Sequence, residues 1–185
     1  MKNSSATDVP GQLRTPDWAR WQPSIHATLL FVLKEGQALL IQKKRGLGAG
    51  KINGPGGKID PGEEPLAAAI REVQEELGVT PLQVSERGEL SFQFLDGLAL
   101  HVRVYVALDH AGEPMETEEA VPLWVDQSAF PYDQMWEDDR FWVPHMLAGR
   151  GFALRAVFDG DRMLDHELEL RAWEARGPGL SAPER

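Results

Sequence analysis

The chain contains 185 residues, carries a formal net charge of −10 at pH 7 and has no cysteine. The length suits one domain with a well-filled core, the negative charge disfavours binding to nucleic-acid polymers and anionic membranes, and the lack of cysteine excludes disulfides and thiolate chemistry. No apolar run approaches the roughly 20 residues of a membrane span and no secretion signal begins the sequence, so we expect a cytoplasmic protein.

Residues 1–23 are rich in serine, threonine, proline and glycine, and they are predicted to form an extension outside the fold. Trp18 and Trp21 lie within this extension, although disordered segments are poor in aromatic residues. We therefore expect the two tryptophans to pack against the domain or to form a dimer interface, and the sequence leaves both possibilities open.

Two strands and a basic loop are predicted next. Residues 25–33 are apolar and β-branched, residues 34–37 have the composition of a turn, and residues 38–42 are again apolar. The basic, glycine-rich residues 43–51 follow as a loop whose backbone can approach a ligand closely. The glycine–lysine run after this loop is not a P-loop, because Ile52 stands where the first glycine of that motif is required.

The next predicted element is a helix with clear ends. Pro65 suits its first position, where a missing N–H has no intrahelical partner, and Gly78 suits the left-handed residue that follows the last turn. Between them an apolar stripe recurs at helical spacing, formed by Leu66, Ile70, Val73 and Leu77. We expect this stripe to face the core.

Three glutamates of the same helix, Glu72, Glu75 and Glu76, are spaced at i, i+3 and i+4. Their carboxylates are predicted to converge on a face well away from the apolar stripe, where like charges repel by about 0.2–0.5 kcal/mol per pair. A divalent cation would turn this repulsion into attraction, and ligands that are all oxygen favour Mg²⁺ or Mn²⁺. A solvated acidic face is the alternative interpretation.

The second half of the sequence contains further strands and one more helix. We predict strands at residues 91–95, 100–106, 121–125, 152–158 and 163–170. An acidic loop, residues 113–119, precedes the third of these strands, and a helix begins at Met135 and ends near Gly149. Strands mixed with two helices indicate one α/β domain, which we place at residues 24–172, followed by a flexible polar tail at residues 173–185.

The sequence from Gly57 to Val79 follows the pattern G-x5-E-x7-R-E-U-x-E-E-x-G-U, where U is a bulky aliphatic residue. The fixed positions are filled by Gly57, Glu63, Arg71, Glu72, Val73, Glu75, Glu76, Gly78 and Val79. This pattern is the Nudix box, and the chain resembles the Nudix hydrolases from about Thr28 to Leu170. The resemblance is closest to the oxidised purine nucleoside triphosphatases, or 8-oxo-dGTP diphosphatases, and residues 43–50, 53–58 and 135–142 carry it outside the box.

The resemblance implies a Nudix fold, in which a mixed β-sheet is sandwiched between helices, and hydrolysis of a triphosphate to a monophosphate and pyrophosphate in nucleotide-pool sanitation. It implies a site for Mg²⁺, with Mn²⁺ also possible, formed by the Gly56 carbonyl, Glu72, Glu75, Glu76 and Glu119. Metal ions would neutralise the phosphate oxygens and activate a water, and one of the three box glutamates would accept its proton. Arg71 and Glu63 are expected to form a structural ion pair.

The resemblance also implies a pocket for the base and its phosphates. Its residues are Thr28, Lys43, Asn53, Phe92, Phe94, Trp136, Asp138 and Asp139. An amide suits a purine edge, two adjacent carboxyls that share one proton both donate and accept, and an indole supplies a stacking face. Other interpretations stay open, since Asp138 and Asp139 also suit the dipole at a helix start and Trp136 and Trp142 also suit a core.

Three positions near the implied pocket, Leu47, Pro55 and Leu100, depart from the residues of the mammalian relatives, so the base preference is open. One alternative is hydrolysis of another nucleoside diphosphate derivative, such as an ordinary dNTP, a methylated purine nucleotide or ADP-ribose. The other is a non-catalytic nucleotide-binding module, which would be expected to lose box carboxylates, whereas none is missing. An isomerase is disfavoured because its usual cysteine is absent. We expect a nucleoside triphosphate substrate, no nucleic-acid or membrane partner, and a monomer or homodimer.

Overall fold

The computed structural model describes residues 15–172. Its elements in chain order are β1 (Ile25–Lys34), β2 (Gln37–Lys43), β3 (Ile52–Asn53), α1 (Pro65–Leu77), β4 (Thr80–Phe94), β5 (Ala99–Ala111), β6 (Ala120–Asp126), a 3-10 turn (Tyr132–Gln134), α2 (Asp139–Leu147), β7 (Gly151–Asp159) and β8 (Arg162–Arg171). The predicted tail, residues 173–185, and the start of the predicted extension, residues 1–14, lie outside the described residues. No helix within residues 15–172 is long and apolar enough to cross a membrane.

One mixed sheet forms the centre of the domain. Its strand order is β3-β2-β1-β5-β4-β7-β8, and β6 pairs with β2. The β1–β5 and β4–β7 pairs are parallel, whereas the other pairs are antiparallel. The register places Phe92 beside Leu100 and Phe94 beside Phe158, so side chains that are distant in sequence meet at one end of the sheet.

The two helices pack on opposite faces of the sheet. On one face, Leu30 and Val32 of β1 belong to the same cluster of buried side chains as Val73 of α1. On the other face, Phe31 belongs to a cluster that includes Trp142 of α2. This alternation follows from the two-residue period of a strand. The predicted fold class, a mixed sheet sandwiched between helices, is confirmed.

The ends of α1 are as predicted, but its buried face is not. Pro65 begins the helix, and Gly78, at φ 72°, ends it. The buried residues are Ala68, Ala69, Val73, Glu76 and Leu77. Leu66 is 41% exposed, because the small alanines let the helix approach β1 closely and shift the contact toward Glu76. The prediction that all three glutamates lie well away from the buried stripe is therefore wrong for Glu76.

The bounds of three further elements differ from the prediction. The strand β4 begins at Thr80 and β5 ends at Ala111, beyond the predicted ranges, because polar residues such as Glu86 and Asp109 interrupt the apolar alternation there and yet lie within the paired strands. The helix α2 begins at Asp139 and not at Met135, because Met135 has an extended backbone after the 3-10 turn.

Trp18 and Trp21 pack against the face of the sheet formed by β4 and β7. Their ring centroids are 5.4 Å apart. The Trp21 indole N–H donates to Gln93 Oε1 at 2.9 Å, and the Arg155 guanidinium lies 6.0 Å from the Trp18 ring centroid. Both tryptophans therefore contact the domain, which is the first of the two arrangements expected for them.

Candidate active site

A glycine-rich segment before α1 approaches β1 closely. The Thr28 N–H donates to the Gly57 carbonyl oxygen at 2.8 Å. A Cβ atom at Gly56 would overlap the Thr28 carbonyl oxygen, and a Cβ atom at Gly57 would overlap the Glu72 carboxylate. Glycine at these two positions therefore allows the strand, the segment and the glutamate-bearing helix to meet.

Glu76 is the most enclosed of the three box glutamates. Its side chain is 2% exposed, against 14% for Glu72 and 56% for Glu75. The Gly56 N–H donates to Glu76 Oε2 at 2.8 Å, and Lys43 Nζ lies 3.6 Å from Glu76 Oε1. Burial raises the pKa of Glu76 to about 7 despite the opposing effects of these two groups. The carboxyl therefore gains and loses its proton near neutral pH.

Arg71 joins the loop of the box to its helix. Its Nε and Nη2 atoms donate to the two carboxylate oxygens of Glu63 at 2.9 and 2.8 Å. Its Nη1 atom donates to Glu72 at 2.8 Å and to Glu75 at 3.1 Å. The bonds with Arg71 lower the pKa of Glu63 to about 2. The ion pair expected between Arg71 and Glu63 is thus present, and it extends to two of the box glutamates.

Glu119 approaches the box glutamates from the start of β6. Burial raises the pKa of Glu72, and the charges of Glu75 and Glu119 add to that effect. The charge of Glu119 also contributes to the raised pKa of Glu76. The Glu119 carboxylate forms an ion pair with Arg45 of the basic loop. The acidic group is therefore formed by α1 and by a loop that is distant from it in sequence.

The carboxylates are in contact with cationic side chains of the protein. Within residues 15–172 no three carboxylate or imidazole groups are arranged as a ready-made metal site. Arg71 binds Glu72 and Glu75, and Lys43 lies against Glu76. The donor set nevertheless fits a hard divalent cation, because all its ligand atoms are oxygen and its negative charges repel one another in a partly buried position.

A cavity of about 520 Å³ opens next to the box. All eight residues predicted to bind substrate line it, namely Thr28, Lys43, Asn53, Phe92, Phe94, Trp136, Asp138 and Asp139. Gly56 and Gly57 also line the cavity, so it is continuous with the segment that contacts Glu72 and Glu76. Its volume lies in the range of small-molecule sites.

Asp138 and Asp139 are buried side by side, and each is 3% exposed. Asp138 Oδ2 accepts the indole N–H of Trp142 at 2.9 Å, and Asp139 Oδ2 accepts the backbone N–H of Trp136 at 3.0 Å. Burial raises the pKa of Asp138 to about 6, and burial together with the adjacent Asp138 raises the pKa of Asp139 well above its usual range. The pair therefore retains a proton near neutral pH. Asp138 makes no side-chain bond to the helix N–H groups, so its side chain does not cap the helix.

The two tryptophans near α2 have different environments. Trp142 is fully buried, and its ring centroid lies 5.7 Å from that of Phe31. Trp136 lines the cavity, where Phe94 and Phe158 contact it at close to right angles with centroids 6.2 and 5.7 Å away. Trp142 is thus a core residue, as the alternative interpretation had it, whereas Trp136 contributes to the wall of the cavity.

The polar part of the cavity wall includes two further side chains. The Thr28 hydroxyl is buried and has no hydrogen-bond partner within residues 15–172. Asn53 Oδ1 accepts the N–H of Gly54 at 2.8 Å, which fixes the orientation of the amide. Both residues line the cavity, so a bound ligand would meet polar groups between the apolar walls.

Sequence reasoning missed part of the apolar wall. Phe158 and Leu98 line the cavity, and the apolar content of β7 indicated that Phe158 would be buried but not that it would face a ligand site. Of the three positions that depart from the mammalian relatives, Leu47 and Leu100 line the cavity, whereas Pro55 is not among its lining residues.

Comparison with known proteins identifies the family. A family model described as NUDIX domain matches residues 23–146. The chain belongs to the Nudix family. The oxidized purine nucleoside triphosphate hydrolase of Danio rerio is 41% identical to this Nudix protein over 77% of the chain and 92% of the relative, and that of Mus musculus is 38% identical over 76% and 92%. The crystal structure of the MutT protein from Bacillus halodurans matches with a TM-score of 0.71 at 26% identity, over 78% of this chain and 97% of that one.

Membership of the Nudix family has two consequences for the site. The protein is a hydrolase of phosphoanhydride bonds, and Nudix hydrolases generally act with divalent metal ions. Both consequences agree with a cluster of carboxylates beside a cavity of nucleotide size.

Proposed function

We propose that this Nudix hydrolase converts oxidised purine nucleoside triphosphates such as 8-oxo-dGTP to the monophosphate and pyrophosphate, and so removes damaged nucleotides from the pool. The observation that carries this proposal is the buried pair Asp138 and Asp139 in the same cavity as Gly56 and Lys43, which contact the box glutamate Glu76. The relatives from Danio rerio and Mus musculus, which are oxidized purine nucleoside triphosphate hydrolases, support the same substrate class.

The aspartate pair suits the edge of an oxidised guanine. Guanine presents two acceptors, O6 and N7, side by side, whereas 8-oxoguanine presents the O6 acceptor beside an N7–H donor. A carboxyl that keeps its proton donates to O6, and an adjacent carboxylate accepts from N7–H. Because the pKa values of Asp138 and Asp139 are both raised, the pair holds a shared proton near neutral pH and matches the oxidised edge.

The aromatic wall holds the base by its faces. Trp136 offers a stacking surface, and Phe92 and Phe94 enclose the same cavity. Leu47 and Leu100 complete the wall of the cavity with aliphatic side chains. We therefore expect stacking on Trp136 to contribute most of the part of the affinity that does not depend on which base is bound.

The glutamate cluster would act on the phosphates. We propose that the Gly56 carbonyl, Glu72, Glu75, Glu76 and Glu119 hold Mg²⁺ or Mn²⁺. A bound divalent ion neutralises phosphate oxygens and lowers the pKa of a bound water. Lys43, which lies between Glu76 and the cavity, offsets phosphate charge. One of the three box glutamates accepts the proton of the attacking water. Because carboxylates that share a metal titrate together, we assign the role of general base to the three glutamates as a group and not to one of them.

We propose that the substrate is a free nucleotide in the cytoplasm. The net charge of −10 opposes binding to a nucleic-acid polymer, and the cavity of about 520 Å³ has the volume of a small-molecule site. We propose a monomer or a homodimer, and light scattering after size-exclusion chromatography distinguishes the two.

The test is product analysis with purified protein, Mg²⁺ and 8-oxo-dGTP. The proposal predicts equimolar 8-oxo-dGMP and pyrophosphate, no turnover in EDTA, and loss of turnover in Glu76→Gln. Asp133→Asn is a matched control, because Asp133 is an exposed carboxylate close to α2, and it should retain activity. Release of inorganic phosphate, or unchanged turnover in Glu76→Gln at saturating Mg²⁺, would contradict the proposal. If only ADP-ribose were hydrolysed, the hydrolase activity would stand but the proposed substrate would be wrong.

A further inference from the structure

Trp136 is held by contacts from outside the cavity as well as from within it. Lys51 Nζ lies 5.0 Å from the centroid of the Trp136 ring, within the range of a cation–π interaction. A Cβ atom at Gly48 would lie 3.0 Å from Trp136 Nε1, so the basic loop also packs tightly against the indole. Neither Lys51 nor Gly48 lines the cavity, so both contact the ring from beyond the surface that a base would touch.

The ammonium group of Lys51 is itself held in place. Its Nζ lies 3.1 Å from a carboxylate oxygen of Asp161, in the turn between β7 and β8. The Lys51 backbone is fixed at both polar groups, since its N–H donates to the Gly48 carbonyl at 2.9 Å and its carbonyl accepts the Lys43 N–H at 3.0 Å. The side chain therefore spans from the basic loop to the hairpin turn, with the Trp136 ring beneath its ammonium group.

We infer that Lys51 is a positioning residue for substrate binding, which fixes the stacking face of Trp136 through a cation–π contact and is itself anchored by Asp161. The inference rests on the proposed function, because it assigns the Trp136 face to the base. Trp136 is also joined to the aspartate pair, since its backbone N–H donates to Asp139. A fixed indole thus keeps the stacking surface and the base-reading carboxyls in one arrangement.

The charge of Lys51 reaches the aspartate pair as well. Burial and the adjacent Asp138 raise the pKa of Asp139, and the positive charge of Lys51 opposes that rise. Lys51 is therefore the cation of the basic loop that acts on both features of the proposed base site. This supports a role on the base side of the site and not only in stability.

A direct bond from Lys51 to the substrate phosphates is the competing explanation, and Asp161 separates the two. If Lys51 bound phosphate, removal of the competing Asp161 carboxylate would free the ammonium group and lower KM. If Lys51 positions Trp136, removal of Asp161 loosens the ammonium group and raises KM. Asp161→Asn thus has opposite effects under the two explanations.

The first experiment compares KM and kcat for the purine nucleotide that the wild-type enzyme hydrolyses best. Lys51→Met should raise KM about two- to five-fold, as expected for loss of an exposed cation–π contact, and should leave kcat within about two-fold. Lys51→Arg should restore KM because a guanidinium also stacks on an indole. Lys34→Met, which breaks a lysine–aspartate pair outside the cavity, between Lys34 and Asp109, should have no effect.

The results that would overturn the inference are an unchanged KM in Lys51→Met, a lower KM in Asp161→Asn, or a fall in kcat alone. A second measurement is independent of substrate. The chain has six tryptophans, so 5-fluorotryptophan labelling gives a small ¹⁹F spectrum in which Trp136→Phe identifies one signal. That signal should shift or broaden in Lys51→Met and not in Lys34→Met, and an unchanged signal would contradict the positioning role. If the wild-type enzyme shows no preference for the oxidised nucleotide, the proposed substrate fails while both measurements still decide the role of Lys51.

Discussion

Glu76→Gln is expected to stabilise the metal-free protein while it abolishes turnover. Glu76 is 2% exposed, and burial raises its pKa from 4.5 to about 7. An acid whose pKa is raised by folding destabilises the fold once the pH exceeds its unfolded-state pKa, because ionisation is harder in the native protein. Glutamine keeps the shape of the side chain and an oxygen that can accept the Gly56 N–H, but it does not ionise.

The size of this effect follows from the two pKa values. The interval between 4.5 and about 7 corresponds to about 3 kcal/mol of unfolding free energy at about 1.4 kcal/mol per pH unit. Above the folded-state pKa the wild-type protein carries the full cost, so the variant should be about 3 kcal/mol more stable at pH 8. At pH 5 the gain should be about 1 kcal/mol, and below the unfolded-state pKa it should vanish.

Urea unfolding in EDTA at pH 5 and pH 8 measures the difference. Glu75→Gln is the matched control, because the Glu75 side chain is 56% exposed and its ion pair with Arg71 contributes little to stability. A Glu76→Gln variant with the same stability gain at both pH values, or with lower stability than wild type at pH 8, would show that Glu76 does not bear a buried charge. Retained turnover would remove it from the catalytic group.

Three further variants test the rest of the site. Asp138→Asn should lower kcat/KM for 8-oxo-dGTP far more than for dGTP, whereas Asp133→Asn should lower neither, and an equal loss on both nucleotides would make Asp138 structural. Trp136→Ala should raise KM by about five-fold to 150-fold through loss of about 1–3 kcal/mol of stacking, whereas Trp124→Ala, outside the cavity, should leave KM unchanged. Gly57→Ala should reduce kcat strongly with a folded circular dichroism spectrum, because the added methyl group overlaps a box carboxylate; wild-type kcat would contradict the close packing described for this position.

The sequence predicted the parts of the molecule that depend on local pattern. The ends of α1 follow from the conformational preferences of Pro65 and Gly78, and eight of the residues that line the cavity followed from the resemblance to the Nudix hydrolases. The buried position of Glu76 was not predictable from helical spacing, because it depends on how closely Ala68 and Ala69 let the helix approach β1. Helical spacing predicts which residues share a face of the helix, whereas tertiary packing determines which residues at the edge of that face are buried.

The contacts that cross between distant segments were also beyond the sequence. Arg71 was expected to pair with Glu63, but its bonds to Glu72 and Glu75 depend on the side-chain directions in the folded box. The contact of Lys51 with Asp161 joins a loop to a hairpin turn more than half the chain away. Such a contact depends on the tertiary arrangement of the loop and the turn, which local sequence patterns do not contain.

The most direct test of the proposed function is a comparison of pyrophosphate release from 8-oxo-dGTP and dGTP with Mg²⁺, expressed as kcat/KM for each. A shared proton on the buried aspartate pair predicts a preference for the oxidised nucleotide of at least about ten-fold, which corresponds to about 1.4 kcal/mol. Equal kcat/KM values for the two nucleotides would contradict the role of the aspartate pair. The hydrolase activity would then stand without a preference for oxidised purines.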